Sequence, residues 1–243
     1  MVTRNNPQLS VEAGAVPERK VEGVKALLSK IGKDFAPAAF ASSFGAEDMV
    51  LLDLIVRSAP GIEIFTLDTG RLPEQTYALM KTVAERYGVK VRVYFPEARE
   101  VEEYVQQHGP NAFYESVELR KSCCHMRKVE PLKRALKDKK AWVTGMRREQ
   151  AATRGDIPQS EFDKDHGLYK FNPLYDWAEK EVWAYIRSNN VPYNALHDMG
   201  YTSIGCAPCT RAVTPGEDLR AGRWWWEDAQ NKECGLHRKS EAA

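Results

Sequence analysis

The chain has almost no net charge, formally +1 over 243 residues, so it has no global attraction to nucleic acid or to an anionic membrane. No apolar run approaches the length needed to cross a bilayer. The first 20 residues include Asn5, Asn6, Pro7, Gly14 and Pro17 and lack the apolar core of a secretory signal. The expectation is a cytoplasmic protein. Cysteine is scarce and odd in number, five in all. In a reducing compartment this argues against a disulfide framework and for metal binding or catalysis. Internal repeats are absent. What is present is an ordinary globular composition, on a chain long enough to bury one sizeable core.

Residues 1–16 are polar and aperiodic and read as a flexible N-terminus. Val21, Val24, Leu27, Leu28 and Ile31 then repeat at helical spacing, and Gly32 is expected to end that helix. Ala38 to Phe44 reads as a strand and Glu47 to Val56 as a helix. Ile62 to Leu67 follows as a strand, Pro73 to Tyr87 as a helix with proline in its first turn, and Val89 to Phe95 as a strand. This βαβαβ alternation predicts an α/β fold, with a mainly parallel sheet and helices on both faces. In such sheets ligands bind beyond the carboxyl ends of the strands. The loops there are Ser42-Ser-Phe-Gly-Ala46, Asp68-Thr-Gly-Arg71 and, after a strand at Ala141 to Thr144, Gly145-Met-Arg-Arg-Glu-Gln150. Arg99 to Lys137 looks mainly helical, with Cys123 and Cys124 near a helix start whose partial positive charge would favour thiolates. A further helix is expected from Glu179 to Ser188, and regular structure is hard to assign after Cys209.

The cysteines read as four plus one. Cys123 and Cys124 stand among Arg120, Lys121, Arg127 and Lys128, where positive charge lowers thiol pKa. Cys206-Ala-Pro-Cys209 is a second pair at metal-ligand spacing. Four thiolates could hold one tetrahedral zinc or one four-iron, four-sulfur cluster. The cluster fits better, because adjacent ligands are awkward around one small ion but can take different corners of a cubane. Two other readings stand beside it. The cysteines could be small buried residues, or Cys206 and Cys209 a thioredoxin-type redox pair, although no βαβ pattern adjoins them.

The remaining signals are weaker one by one. Ser42-Ser43-Phe44-Gly45 offers amides and hydroxyls at a helix start, a common anion site, yet an ordinary turn would look the same. Arg71 adds a cation to the second loop. Arg147, Arg148 and Arg154 could clamp oxyanions bidentately or simply form a basic surface loop. In the last stretch, Arg220 and Arg223 precede Trp224-Trp-Trp226, whose apolar area argues for docking rather than a frayed tail. Cys234, with Gly235, His237 and Arg238 just beyond, has the surroundings of a reactive thiolate.

Taken together, Ser42-Ser-Phe-Gly45, Leu67-Asp-Thr-Gly-Arg-Leu72, Cys123-Cys124, Gly145-x-Arg147-x-x-Gln150, Cys206-x-x-Cys209 and Glu233-Cys-Gly-Leu-His237 resemble the iron–sulfur branch of the assimilatory adenylyl-sulfate (APS) reductase family. The resemblance covers nearly all of the chain after residue 35. It implies a Rossmann-like adenine-nucleotide alpha hydrolase (PP-loop) fold, with residues 17–209 binding nucleotide and cluster and residues 210–243 forming a catalytic tail. Ser43 to Asp48 departs from the SGGxDS pattern of ATP pyrophosphatases, which argues against ATP cleavage, and Ala151 stands where many members carry serine.

The implied substrate is APS rather than its 3'-phosphorylated relative PAPS, since PAPS-using relatives typically lack the four cysteines. The implied cofactor is a 4Fe-4S cluster on Cys123, Cys124, Cys206 and Cys209, and the implied reductant is thioredoxin. Cys234 is the expected nucleophile, forming S-sulfocysteine, with His237 and Lys128 assisting. Ser42, Ser43, Phe44, Gly45, Leu67, Asp68, Thr69, Gly70, Arg71, Arg147, Arg154, Arg220 and Arg223 are the expected substrate contacts. A dithiol delivers two electrons in one exchange and such a cluster one at a time. The cluster's expected role is therefore electrostatic and structural, fixing residues 121–128 so that Lys128 faces the substrate. The alternatives are a zinc-stabilised PAPS reductase and a non-catalytic nucleotide-binding iron–sulfur sensor, which would have no need of Cys234 beside His237. The sequence leaves a homo-oligomer open.

Overall fold

The computed structural model describes residues 16–150, 156–228 and 236. Helix α1 (Glu18–Asp34) buries Val24, Leu28 and Ile31 on one stripe. It does not stop at Gly32. A glycine inside a helix costs only about 1 kcal/mol relative to alanine, and burial of that apolar stripe outweighs it. Strand β1 (Ala38–Ala41) leads through a short loop into α2 (Ala46–Ser58). Strand β2 (Glu63–Leu67), α3 (Glu74–Tyr87) and β3 (Arg92–Tyr94) repeat the unit. Helices α4 (Ala98–His108), α5 (Val117–Cys124) and α6 (Glu130–Leu136) then lead to β4 (Ala141–Val143). A hairpin of β5 (Ser160–Asp163) and β6 (Leu168–Phe171) precedes α7 (Glu179–Ser188).

The six strands lie in the order β3-β2-β1-β4-β6-β5. Every pairing is parallel except β5 with β6. The expected mainly parallel sheet is therefore present. The antiparallel edge was not anticipated, because Ser160-Glu-Phe-Asp163 is mostly exposed and carries no apolar run. Alternation along the strands separates two cores, as the pleat requires. Ala38, Phe40, Ile64, Val143 and Phe171 pack with α1, α2, α3 and α7 on one face. Ala39, Phe65, Trp142 and Leu168 pack with Leu132, Ala135 and Leu136 of α6 on the other, where Leu236 also packs.

The strand order reverses direction between β1 and β4, and the crevice beyond their carboxyl ends is where a sheet of this kind binds ligands. Cys123 and Cys124 are not at a helix start. Ser116 caps α5 by accepting from the Leu119 N–H, and the two cysteines are the last residues of that helix. A π-helical turn, His125–Val129, joins α5 to α6. No described helix is long and apolar enough to cross a membrane.

Candidate active site

The loop after β1 is held in shape by one carboxylate. Asp48, buried in the first turn of α2, accepts from the Ser43 N–H and the Ser43 hydroxyl, both at 2.6 Å. Phe44, fully buried, takes a left-handed backbone with φ 59°, which lets the loop turn back onto the helix. The loop after β4 approaches so closely that any side chain at Gly145 would collide with Asp48. Glycine is needed there for contact between the two loops, a reason invisible in either loop alone.

These loops border a cavity of about 250 Å³ at the switch point. Its walls include Ser42, Ser43, Gly45, Glu47 and Asp48 from the first loop and helix. Leu67 and Thr69 follow β2, and Thr144, Gly145, Met146, Arg147 and Gln150 follow β4. Thr202, Ser203, Ile204 and Gly205 contribute from the segment before Cys206, and Arg220, Arg223, Trp224 and Leu236 from the chain beyond it. One part of the lining is acidic, with Glu47, Asp48 and Glu179; another is cationic, with Lys128, Arg220 and Arg223.

Within the acidic part, Glu47 is paired with a cation. Arg147, 2 % exposed, donates from Nε to Glu47 Oε1 at 2.9 Å and from a guanidinium nitrogen to the Trp177 carbonyl at 3.1 Å. Burial works to raise the Glu47 carboxyl, but Arg147 beside it prevails and holds it below the ordinary range. Asp48 has hydrogen bonds but, among the described residues, no ion pair. Burial, with Glu47 adding to it, pushes its carboxyl up to about 7 against the pull of Ser43. Burial also lowers the His197 imidazole, another wall residue, which is therefore neutral at pH 7.

A second, smaller cavity of about 20 Å³ lies alongside, lined by Cys123, Cys124, Cys206 and Cys209 with Arg71, Phe113, Arg120, Arg127, Lys128 and Pro208. Cys206 accepts or donates a contact with Thr69 Oγ1 at 3.3 Å. Burial works to raise the Cys206 thiol, yet Lys128, Thr69, Arg223 and Arg127 together bring it below the ordinary value. Burial raises Cys123 and pushes Cys209 up to about 12. Positive charge near the thiols thus comes from side chains, in place of the helix terminus the sequence implied. Among the described residues no group of three or more His, Cys, Asp or Glu side chains is gathered as a single metal ion requires. Four thiols from two separated segments, ringed by cations, form a donor set that suits a larger thiolate-bound group better than one small ion.

Lys128 is the one described residue that lines both cavities. The π-helical turn, one residue wider per turn than an α-helix, carries it. Arg223 makes a second link. Its guanidinium lies over the Trp224 ring at 4.6 Å and donates to the Ser203 hydroxyl and the Ile204 carbonyl at 3.4 and 3.3 Å. A side chain at Gly205 would occupy the space of that guanidinium.

Of the residues singled out in the sequence, Ser42, Ser43, Gly45, Leu67, Thr69, Lys128, Arg147, Arg220 and Arg223 line the larger cavity. Phe44, Asp68 and Gly70 support it from behind: Asp68 accepts from the Gly70 N–H at 2.8 Å and the Tyr77 hydroxyl at 2.9 Å. Arg71 turns the other way, to Asn111 and the Pro110 carbonyl, and forms part of the cysteine cavity. Arg154, Cys234 and His237 lie outside the described residues. Sequence reasoning missed Glu179, Trp183, His197 and Thr202 to Gly205. The last group could have been found from its position just before Cys206; the others carry no local signal.

Comparison with known proteins gives consistent results. The family model described as phosphoadenosine phosphosulfate reductase domain matches residues 37–212. The chain is 52% identical to the adenosine 5'-phosphosulfate reductase of Allochromatium vinosum, over 100% of this chain and 93% of that protein. It is 56% identical to the protein of the same name from Burkholderia cepacia, over 90% and 87%. Among solved structures, phosphoadenylyl-sulfate (PAPS) reductase from Candida auris in a phosphate complex aligns with a TM-score of 0.64 and 29% identity, covering 83% of this chain and all of that one.

Proposed function

The chain belongs to the phosphoadenosine phosphosulfate reductase domain family, and from that premise we propose that it reduces adenosine 5'-phosphosulfate to sulfite and AMP in sulfate assimilation. The name shared by relatives about half identical over nearly the whole chain carries this reading. The cationic part of the cavity beside the cysteine site supports it, since a dianionic substrate attacked by a thiolate must have its oxygens neutralised.

In this reading Ser42, Ser43, Gly45, Leu67 and Thr69 bind the nucleotide from the strand ends, with Phe44, Asp68 and Gly70 shaping the loops. Lys128, Arg154, Arg220 and Arg223 face the sulfate and phosphate oxygens. Arg147, held by Glu47, positions that wall. The Cys234 thiolate attacks the sulfate sulfur. A sulfur–sulfur bond forms, the sulfur–oxygen bond to phosphate breaks, and AMP leaves with the electron pair. His237 supports the thiolate. A thioredoxin thiolate then attacks Cys234 Sγ, releasing sulfite, and its second thiol closes a disulfide, so that the dithiol supplies both electrons.

Cys123, Cys124, Cys206 and Cys209 would hold a 4Fe-4S cluster, whose contribution when bound is local charge and a rigid frame for the wall that carries Lys128. Thr69 and Trp224 stand on the boundary between that wall and the nucleotide cavity.

The test is intact-protein mass spectrometry after mixing anaerobically purified protein with APS or PAPS without thioredoxin, with peptide mapping of any sulfonate. The expected outcome is a sulfonate on Cys234 from APS and little from PAPS, absent in Cys234→Ser. Equal labelling by both nucleotides overturns the substrate choice, and no adduct from iron-replete protein overturns the enzymatic reading in favour of a nucleotide sensor.

A further inference from the structure

Arg120 is the least expected residue of the cysteine site. It is a cation with a side chain only 1% exposed, on the inner face of α5, and it meets Glu227, whose side chain is 3% exposed. The pair is bidentate: Nε donates to Oε1 at 2.9 Å and Nη2 to Oε2 at 2.7 Å. The same guanidinium lies over the Trp224 ring at 4.8 Å and hydrogen-bonds Cys124. Trp224 packs against Cys124, Cys206 and Cys209, and Phe113 and Trp226 pack in the same cluster. Thus one side chain touches a cysteine of the smaller cavity, an aromatic wall and the carboxylate at the start of the last segment of chain.

A buried ion pair is weak evidence for stability, because desolvating both charges offsets their attraction. Its fork geometry instead fixes orientation. Cys234 lies in sequence between Glu227 and Leu236. Leu236 is held too, lining the nucleotide cavity and packing against the α6 face of the sheet. Glu227 and Leu236, which flank Cys234 in sequence, are therefore each anchored by their own contacts. The first of these is attached to the helix that bears Cys123 and Cys124.

We propose that Glu227 is a positioning residue: through Arg120 it ties the Cys234-bearing segment to the cysteine site, so that an intact cysteine site sets the reach of Cys234 toward bound nucleotide. The inference rests on Cys234 as the nucleophile and on the four cysteines as ligands. It extends that reading by naming the link between them. Glu227 lines neither cavity and acts through Arg120.

The experiment compares wild type, Glu227→Gln and Glu227→Asp, purified anaerobically as full chains. Four quantities are measured: iron content, AMP affinity, the rate of sulfonation by APS, and the rate of Cys234 alkylation by iodoacetamide. Misplacing a reacting group by about 1 Å can cost roughly a hundredfold in rate. For Glu227→Gln the expected result is iron content and AMP affinity within about twofold of wild type, with sulfonation at least roughly tenfold slower and alkylation severalfold faster. Glu227→Asp, which keeps the charge, should recover much of the sulfonation rate. In wild type, removing iron with a chelator should speed alkylation as the Gln substitution does.

Wild-type sulfonation and alkylation rates in iron-replete Glu227→Gln overturn the proposal. So does a slowing matched by equal loss of AMP affinity, which marks a merely structural role. If Glu227→Gln does not fold, Glu227→Asp decides on the same measurements: unchanged rates there overturn the proposal, and intermediate ones support it. The alkylation arm needs no sulfur chemistry. A wild-type protein that forms no adduct therefore defeats the nucleophile assignment, while alkylation still decides the link between Glu227 and the segment.

Discussion

Asp48, buried, and Glu47, half-buried, are neighbours in the chain on the wall of the larger cavity, and burial works to raise both carboxyls, yet the two shift in opposite directions. Glu47 has Arg147 within 3 Å and titrates below its ordinary range. Asp48 has only Ser43 and the Gly145 backbone for support and is pushed up to about 7. Between the ordinary 3.8 and about 7 the folded protein holds a proton on Asp48 that the unfolded chain has released. Stability from this group therefore falls as pH rises through that window. Glu47 acts in the opposite sense, and lower. Its stabilisation is complete above the ordinary 4.5 and is lost only as pH falls through its depressed folded value. Asp48→Asn should accordingly gain stability relative to wild type between pH 5 and pH 8, read as a widening difference in urea midpoints. A difference that stays constant across that range would reject the raised pKa.

At the scale of elements, the stretch from Val117 to Leu136 is one helix with a π-helical turn in its middle. The turn sets the angle between the cysteines that end α5 and Leu132, Ala135 and Leu136, which bind α6 to the sheet. Inserting one alanine after Val129, on the α6 side of the turn, would rotate the cysteine pair by about 100° relative to α6. The core contacts of α6 should hold its side of the helix in place, leaving Cys123 and Cys124 turned from Cys206 and Cys209. Iron per chain should then fall severalfold while far-UV circular dichroism is unchanged. A full iron complement in this insertion variant would show that the register between the π-helical turn and α6 does not set the cysteine geometry.

At the scale of the whole molecule, the cysteine cavity joins segments distant in sequence: Arg71 after β2, Phe113 before α5, the end of α5, and Cys206 to Cys209. Trp224 packs on the same group. A ligand held by all four thiols would tie the sheet, the helical insertion and the C-terminal segment together. Its removal should lower stability by several kcal/mol, with each kcal/mol worth about 2–4 °C in a chain of this size. Anaerobic chelation should therefore lower Tm by about 10 °C or more, with cleavage between Trp226 and the C-terminus accelerated in limited proteolysis. An unchanged Tm after complete loss of iron would mean that the fold carries these segments without it.

The local rules in the sequence determined most of the architecture. Apolar patterning placed β2, α2, α3 and α7 to within two residues at each end, because these elements bury one continuous face, whereas β1 was expected to reach Phe44 and stops at Ala41, where the loop held by Asp48 begins. The strand-end loops and the four cysteines were legible for a related reason, since hydroxyls, glycines and thiols at fixed spacings have few other uses. Three things were settled only by tertiary contact. The β5–β6 hairpin forms on a solvent-facing edge that leaves no apolar signature. Arg71 and Arg147 look like free cations in sequence, but Asn111 and Pro110 draw one to the cysteine cavity and Glu47 holds the other in a part-buried pair. Above all, Arg120 meets Glu227 across more than a hundred residues of chain, and no local pattern can announce which buried charge will find which partner. Hydrophobic periodicity is a property of neighbours in sequence; charge pairing in a dry interior is a property of neighbours in space.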